Sequence, residues 1–173
     1  LVDYMEGHPE VGIAGPSMLG SDGKVGRSCR GFPTVWNMLC FALGLDLAFP
    51  RVRLFGGYTL RYWGHDSTRP VDILGGWFWI VRREALKKVG LLDENILFWF
   101  DEVELCWRIK KAGWKVFFTP EAVITHHMSK GFKQWKSWKQ VIKGIVVWRR
   151  SRNYFFRKHK GILSVIFLWL IDT

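Results

Sequence analysis

The sequence predicts an α/β domain, a mixed sheet flanked by helices, followed by a basic amphipathic helical tail. Three observations predict it. Short apolar runs that suit strands (residues 11–14, 71–81, 114–120 and 122–127) alternate with helical patterns (35–45, 82–89 and 101–113). Gly and Pro punctuate the junctions, at Gly15-Pro16, Gly90 and Gly113. The charge is also divided. Of 26 Lys and Arg and 15 Asp and Glu, eleven bases but a single acid, Asp172, lie from Met128 onward. The net charge of +11 therefore belongs almost wholly to the tail. With 173 residues, 49% of them hydrophobic, the chain is long and apolar enough to bury a core.

The chain opens as the last turns of a helix, closed by Gly7 and Pro9, with no initiator Met. A helix tail without a beginning predicts a piece of a longer protein. Residues 11–14 form a short strand that Gly15-Pro16 should end, and Ser21-Asp22-Gly23-Lys24 is a turn signal for a hairpin or an excursion. Thr34 is an N-cap for the helix VWNMLCFALGL, which is apolar on most sides. At about 11 residues it is too short to span a bilayer, so burial is the expectation. Residues 50–70 read as a long loop, whose Arg51, Arg53, Arg61 and Arg69 suit either phosphate contacts or a solvated surface. Residues 71–81 read as an apolar strand interrupted by Gly75-Gly76, which marks a bulge or a close ligand. A short helix then closes at Gly90. Cys29, Cys40 and Cys106 have no paired metal spacing and read as reduced thiols of a cytoplasmic protein.

The most informative stretch is 98–127, FWFDEVELCWRIKKAGWKVFFTPEAVITHH. Carboxylates (Asp101, Glu102, Glu104) stand at a helix start, and His126 and His127 at a strand end. If they converge on one cleft, the set suits proton abstraction and cation binding. Each residue also fits a structural role. Asp101 would cap the helix and Glu102 favour its positive end. Glu104 would pair with Arg108 one turn on, and the histidines would merely end a strand.

The run from Gly75 to His127 resembles the C-terminal half of a family 2 glycosyltransferase, in its bacterial rhamnosyltransferase-like branch. The resemblance rests on a small-residue strand, V-R-R-E-A, G-x-x-D-E, an acidic pair before a helix, A-G-W, and P-E-A followed by His, all present in order. HPEVGIAGPSMLGSDGKVGRSCRGFPT is similar to the part that follows the nucleotide-binding half, so the resemblance covers about residues 1–160. One departure is that the acidic pair usually reads Glu-Asp, and here it is Asp101-Glu102. The resemblance implies a GT-A (Rossmann-like) fold, with residues 1–128 as the acceptor-side half of the catalytic domain. It implies inverting transfer of a sugar, rhamnose by analogy, from a nucleotide-sugar donor to a lipid-linked or polysaccharide acceptor. Glu102, or else Asp101, would be the base, kept ionised by the helix N-terminus, with Glu104 in support. Gly75, Gly76 and Trp77 would face the acceptor. His126, with His127 second, would ligate a divalent cation (Mg2+ or Mn2+) that neutralises the departing diphosphate. The Asp-x-Asp motif and sugar-nucleotide pocket of the family are not found in this sequence, nor is a Gly-rich phosphate loop.

In residues 129–173, Phe132, Trp135, Trp138, Ile142 and Ile145 recur at helical steps beside Lys133, Lys136, Lys139 and Lys143. Such a helix suits an anionic membrane surface, on the inner face of the cell membrane, or else packs on the core. Residues 162–171 are apolar but short of a span and read as an interfacial anchor, preferred here, or as the first half of a transmembrane helix. The competing function is a non-catalytic basic module for membrane or nucleic acid. Against nucleic acid stand the absence of RRM, KH or zinc signatures and the confinement of charge to one end.

Overall fold

The computed structural model describes residues 1–127 and 137–172. Its first elements are α1 (Val2–Gly7), β1 (Val11–Leu19), β2 (Val25–Gly26), β3 (Cys29–Arg30), α2 (Val35–Ala42) and α3 (Leu45–Ala48). Next come β4 (Arg69–Pro70), β5 (Ile73–Leu74), β6 (Ile80–Val81), α4 (Arg83–Val89), α5 (Asp101–Lys111) and β7 (Lys115–Thr125). Two helices close the order, α6 (Trp138–Lys160) and α7 (Ile162–Asp172).

The sheet is mixed. Strands β1 and β7 run parallel at its centre, β4 pairs antiparallel with β7, and β2 and β6 pair antiparallel with the two ends of β1. A second, two-stranded sheet joins β3 to β5. The Ser21–Lys24 turn closes the β1–β2 hairpin, with Gly23 at φ 72°. Helix α5 turns Val103, Cys106 and Ile109 inward onto β5 and β7. There they join Ile13, Ile73, Val116 and Phe118 in the main core.

Four expectations are corrected by packing. Gly15-Pro16 does not end β1, which continues to Leu19. Pro16 lies at a register shift against β7, where its missing N–H breaks no regular ladder. Residues 114–120 and 122–127 are not two strands but belong largely to one, β7, which runs through Pro120. Pro16 faces Thr119 and Ser17 faces Val123, so residues 120–122 bulge out of register. The 71–81 run is not one strand. Its two halves, β5 and β6, belong to different sheets, and the chain turns between them. Helix α2 is not buried. Thr34 does cap it, accepting from the Asn37 N–H at 3.0 Å, but only Met38 and Cys40 are covered, while Trp36, Phe41 and nearby Leu43 are exposed.

The tail joins the same core. Helix α6 starts at a capping box formed by Ser137 and Gln140. It buries Phe155 and Phe156, and α7 buries Leu168, all in the cluster that holds the α5 side chains. Arg152 is buried and pairs with Asp172 at 2.5 Å, which fastens α7 to α6. Trp138, Ile142 and Ile145 of the aromatic stripe are exposed, whereas Phe132, Lys133, Trp135 and Lys136 lie outside the described residues. Among the described residues no helix is long and apolar enough to cross a membrane.

Candidate active site

Two consecutive aromatic residues, Trp99 and Phe100, hold the left-handed backbone (φ 55° and 63°) immediately before α5. Such geometry costs non-glycine residues about 1 kcal/mol or more each and persists only where packing enforces it. Here the packing comes from α6. Phe100 is buried with its ring centroid 5.9 Å from those of both Trp148 and Phe155, and the Ser151 hydroxyl donates to the Phe98 carbonyl at 2.8 Å. The N-cap is Phe100, which makes no side-chain cap. Asp101 is thus the first helical residue rather than the cap, and the capping role considered for it falls away.

Glu102 is half-buried in a cavity of about 130 Å³ walled by Arg30, Tyr58, Trp99, Phe100 and Trp148. Burial raises its pKa to about 7, and the neighbouring Asp101 carboxylate pushes the same way through its charge and a hydrogen bond. Arg30 and the backbone N–H groups oppose this without cancelling it. The helix N-terminus therefore does not keep Glu102 fully ionised, as the sequence suggested. Desolvation outweighs the dipole.

Glu104 points into the protein. It is fully buried and accepts from Arg108 Nε at 2.6 Å and Lys158 Nζ at 2.7 Å, with His159 Nε2 at 3.1 Å. Burial alone would raise its pKa, but these partners hold it below the usual carboxylate range. Lys158 also reaches Asp93 at 2.7 Å, where Tyr154 donates at 2.9 Å. Glu104 is thereby the anchor of a clamp between α5 and the end of α6. Arg108 is indeed its partner one turn on, and Arg108 also bonds the carbonyls of Val89 and Leu91.

The Gly75–Trp77 turn stands between the carboxylates and the histidines. A Cβ on Gly76 would lie 3.8 Å from the Glu102 Cβ. A Cβ on Gly75 would lie 2.5 Å from the Trp77 indole, so only glycine lets that ring fold back over the chain. The Trp77 ring lies 5.2 Å from that of His126, whose backbone N–H extends the β7 pairing to Leu19. The Trp77 indole N–H is buried and, among the described residues, has no hydrogen-bond partner. His126 is half-buried, and His127 is exposed. The structure thus places Glu102, Gly76, Trp77 and His126 in succession, although His126 does not line the Glu102 cavity. Among the described residues no three His, Cys, Asp or Glu side chains converge as a metal site.

Sequence reasoning missed Arg30, Tyr58, Trp99 and Trp148. Only Trp99 carried a sequence signal, the aromatic run before the acidic pair; Arg30, Tyr58 and Trp148 lie far from that run in the chain. Of the loop arginines, Arg61 is engaged by buried Asp46 at 2.9 Å. Arg53 and Arg69 line a separate polar cavity of about 420 Å³ with Lys110 and Asp72.

Residues 56–150 match the family described as glycosyltransferase like family 2. Two relatives, the N-acetylglucosaminyl-diphospho-decaprenol L-rhamnosyltransferases of Mycobacterium tuberculosis strains CDC 1551 / Oshkosh and ATCC 25618 / H37Rv, are each 33% identical over 127 residues. The aligned region covers 73% of this chain and 41% of each relative. The chain belongs to the family 2-like glycosyltransferases, in a rhamnosyltransferase-like branch. Its mixed sheet between helices is accordingly that of a GT-A domain, carrying a C-terminal helical tail.

Proposed function

We propose that this chain forms the acceptor side of an inverting glycosyltransferase. The enzyme would move a sugar, rhamnose by likeness to the relatives, from a nucleotide-sugar donor to a lipid-linked or polysaccharide acceptor for cell-surface polysaccharide synthesis. The observation that carries this reading is Glu102, a carboxylate that titrates near neutrality beside the Gly75–Trp77 turn. A general base works best when its pKa lies near the operating pH. Glu102 takes the proton from the acceptor hydroxyl as that oxygen bonds the anomeric carbon and the bond to the donor diphosphate breaks. Asp101 tunes Glu102, and is the alternative base. The unpartnered Trp77 indole N–H donates to the acceptor, and Glu104 keeps α5 in place for the reaction.

His126 is the residue of this chain proposed to ligate a divalent cation, with His127 as second choice. The remaining ligands, like the sugar-nucleotide pocket, are proposed to come from outside these 173 residues. The exposed apolar and basic side chains of α6 and α7 are proposed to rest on the inner face of the cell membrane.

The test is a pair of variants in the full-length protein. Glu102→Gln should abolish turnover, with donor affinity nearly unchanged. Loss of activity in Asp101→Asn with retention in Glu102→Gln would transfer the role of base to Asp101.

A further inference from the structure

The loop between α3 and β4 walls the polar cavity of about 420 Å³, which shares no lining residue with the Glu102 cavity. Glu102 stands in the first turn of α5, whereas Lys110, in its last turn, lines this second cavity. Eight residues of helix separate them by roughly 12 Å along the axis. The loop is held in shape from within. Buried Asp46 accepts from Thr59 Oγ1 at 3.0 Å and from Arg61 Nε at 2.9 Å, and the Gly31 N–H donates to the Tyr58 carbonyl at 2.9 Å. Arg53 lies over the Tyr62 ring at 5.7 Å and Arg69 over the Trp63 ring at 4.8 Å. Unlike Arg61, neither makes an ion pair among the described residues. The one carboxylate of the cavity is already satisfied, since Asp72 accepts from Lys110 Nζ through Oδ1 and from the Phe32 N–H, at 3.1 Å, through Oδ2. Three cations against one carboxylate leave the cavity a net charge of +2.

We propose that this cavity is a second binding site, for a phosphomonoester carried on a soluble sugar, with Arg53 and Arg69 holding the phosphate. The inference does not depend on the transferase reading above. An aromatic ring attracts a guanidinium through its charge and leaves N–H donors to a hydrogen-bonding ligand. Two such guanidiniums match the oxygens of a phosphate in geometry. A phosphomonoester carries close to two negative charges at neutral pH, which balances the cavity, whereas a carboxylate carries one. The volume exceeds what a phosphate alone fills and lies in the range of ligand pockets, roughly 300–1,000 Å³. The remaining wall mixes Leu60 and Tyr62 with Asp72 and Lys110, which suits the apolar faces and hydroxyl groups of a sugar.

The experiment is arginine footprinting of the full-length protein with phenylglyoxal at constant ionic strength, read by mass spectrometry. Glucose 6-phosphate should slow modification of Arg53 and Arg69, and inorganic phosphate should do so at higher concentration. Arg51, exposed and outside the cavity, should react at an unchanged rate. Glucose should protect neither arginine, and glucuronate, with its single charge, should protect them less than the phosphate ester. Arg53→Met replaces an exposed side chain, so the fold is retained. It should raise the glucose 6-phosphate concentration that half-protects Arg69 about tenfold, the scale of one charge-assisted contact. No protection of Arg53 and Arg69, equal protection by glucose or glucuronate, or equal slowing at Arg51 would overturn the proposal. So would an unchanged midpoint in Arg53→Met, or protection by phosphatidic acid vesicles but not by the soluble ester. Stronger protection by a nucleoside diphosphate would make the cavity part of a donor site and would overturn it as well.

Discussion

Glu102 shows how one residue acquires chemistry from its surroundings. Its ordinary value of 4.5 rises to about 7 because burial disfavours the charged form, and Asp101 adds to the effect. In the full-length protein kcat/KM should rise with pH through an apparent pKa near 7 and level off above it. A pH–rate profile flat from about 5 to 8 would remove Glu102 from that role. The stability consequence has the opposite direction. The folded state binds the Glu102 proton more tightly than the unfolded chain, so this group's contribution is full below pH 4.5 and is lost as pH rises through about 7. Glu102→Gln should therefore raise the unfolding midpoint at pH 8 relative to wild type, and have little effect at pH 4.

At the scale of elements, α5 is held by α6 at two points. Near its start, Ser151, Trp148 and Phe155 fix Phe98 and Phe100. One turn in, Glu104 and Asp93 share Lys158. Buried Glu104 has two cationic partners, Arg108 and Lys158, beside a His159 that burial keeps neutral, and removing its charge leaves the two cations facing a neutral amide. Glu104→Gln should cost ~3 kcal/mol in chemical denaturation, since breaking a buried pair leaves partners uncompensated. Its contribution has the pH sense of a depressed carboxylate, present above the unfolded value and lost as pH falls through the lower folded one. Lys158→Met should weaken the clamp less, because Lys158 is about one-third exposed and Arg108 remains. Equal loss in the two variants would place the clamp on Lys158 rather than on Glu104.

At the scale of the molecule, the basic character of the tail is partly internal. Arg149, Arg152 and Lys158 are engaged with Asp172, Asp93 and Glu104. Facing outward are apolar side chains, Phe41 and Leu43 at α2, Leu47 on α3, Ile142 and Ile145 on α6, and Phe167 and Trp169 on α7, together with Lys139, Lys143, Arg150 and Arg157 of α6. We propose that these exposed apolar side chains face a membrane surface. The protein should co-sediment with phosphatidylglycerol vesicles and bind a single-stranded oligonucleotide weakly over the same salt series. Strong, salt-sensitive oligonucleotide binding with no vesicle binding would favour the non-catalytic basic module instead.

Local signals were legible wherever a residue acts on its own neighbours. Thr34 caps α2, Ser21–Lys24 turns a hairpin, Gly90 closes α4, and the acidic pair heads α5. The sequence by itself determined the α/β class, the family and the residues at the head of α5, because periodicity, turn chemistry and ordered motifs are short-range. Only the tertiary structure decided that β1 and β7 pass through their prolines, that residues 71–81 split between two sheets, and that the tail enters the core. It also decided that Trp99 and Arg30 stand beside Glu102. These outcomes depend on groups far apart in the chain that bury one another, and burial is also what shifts the Glu102 proton.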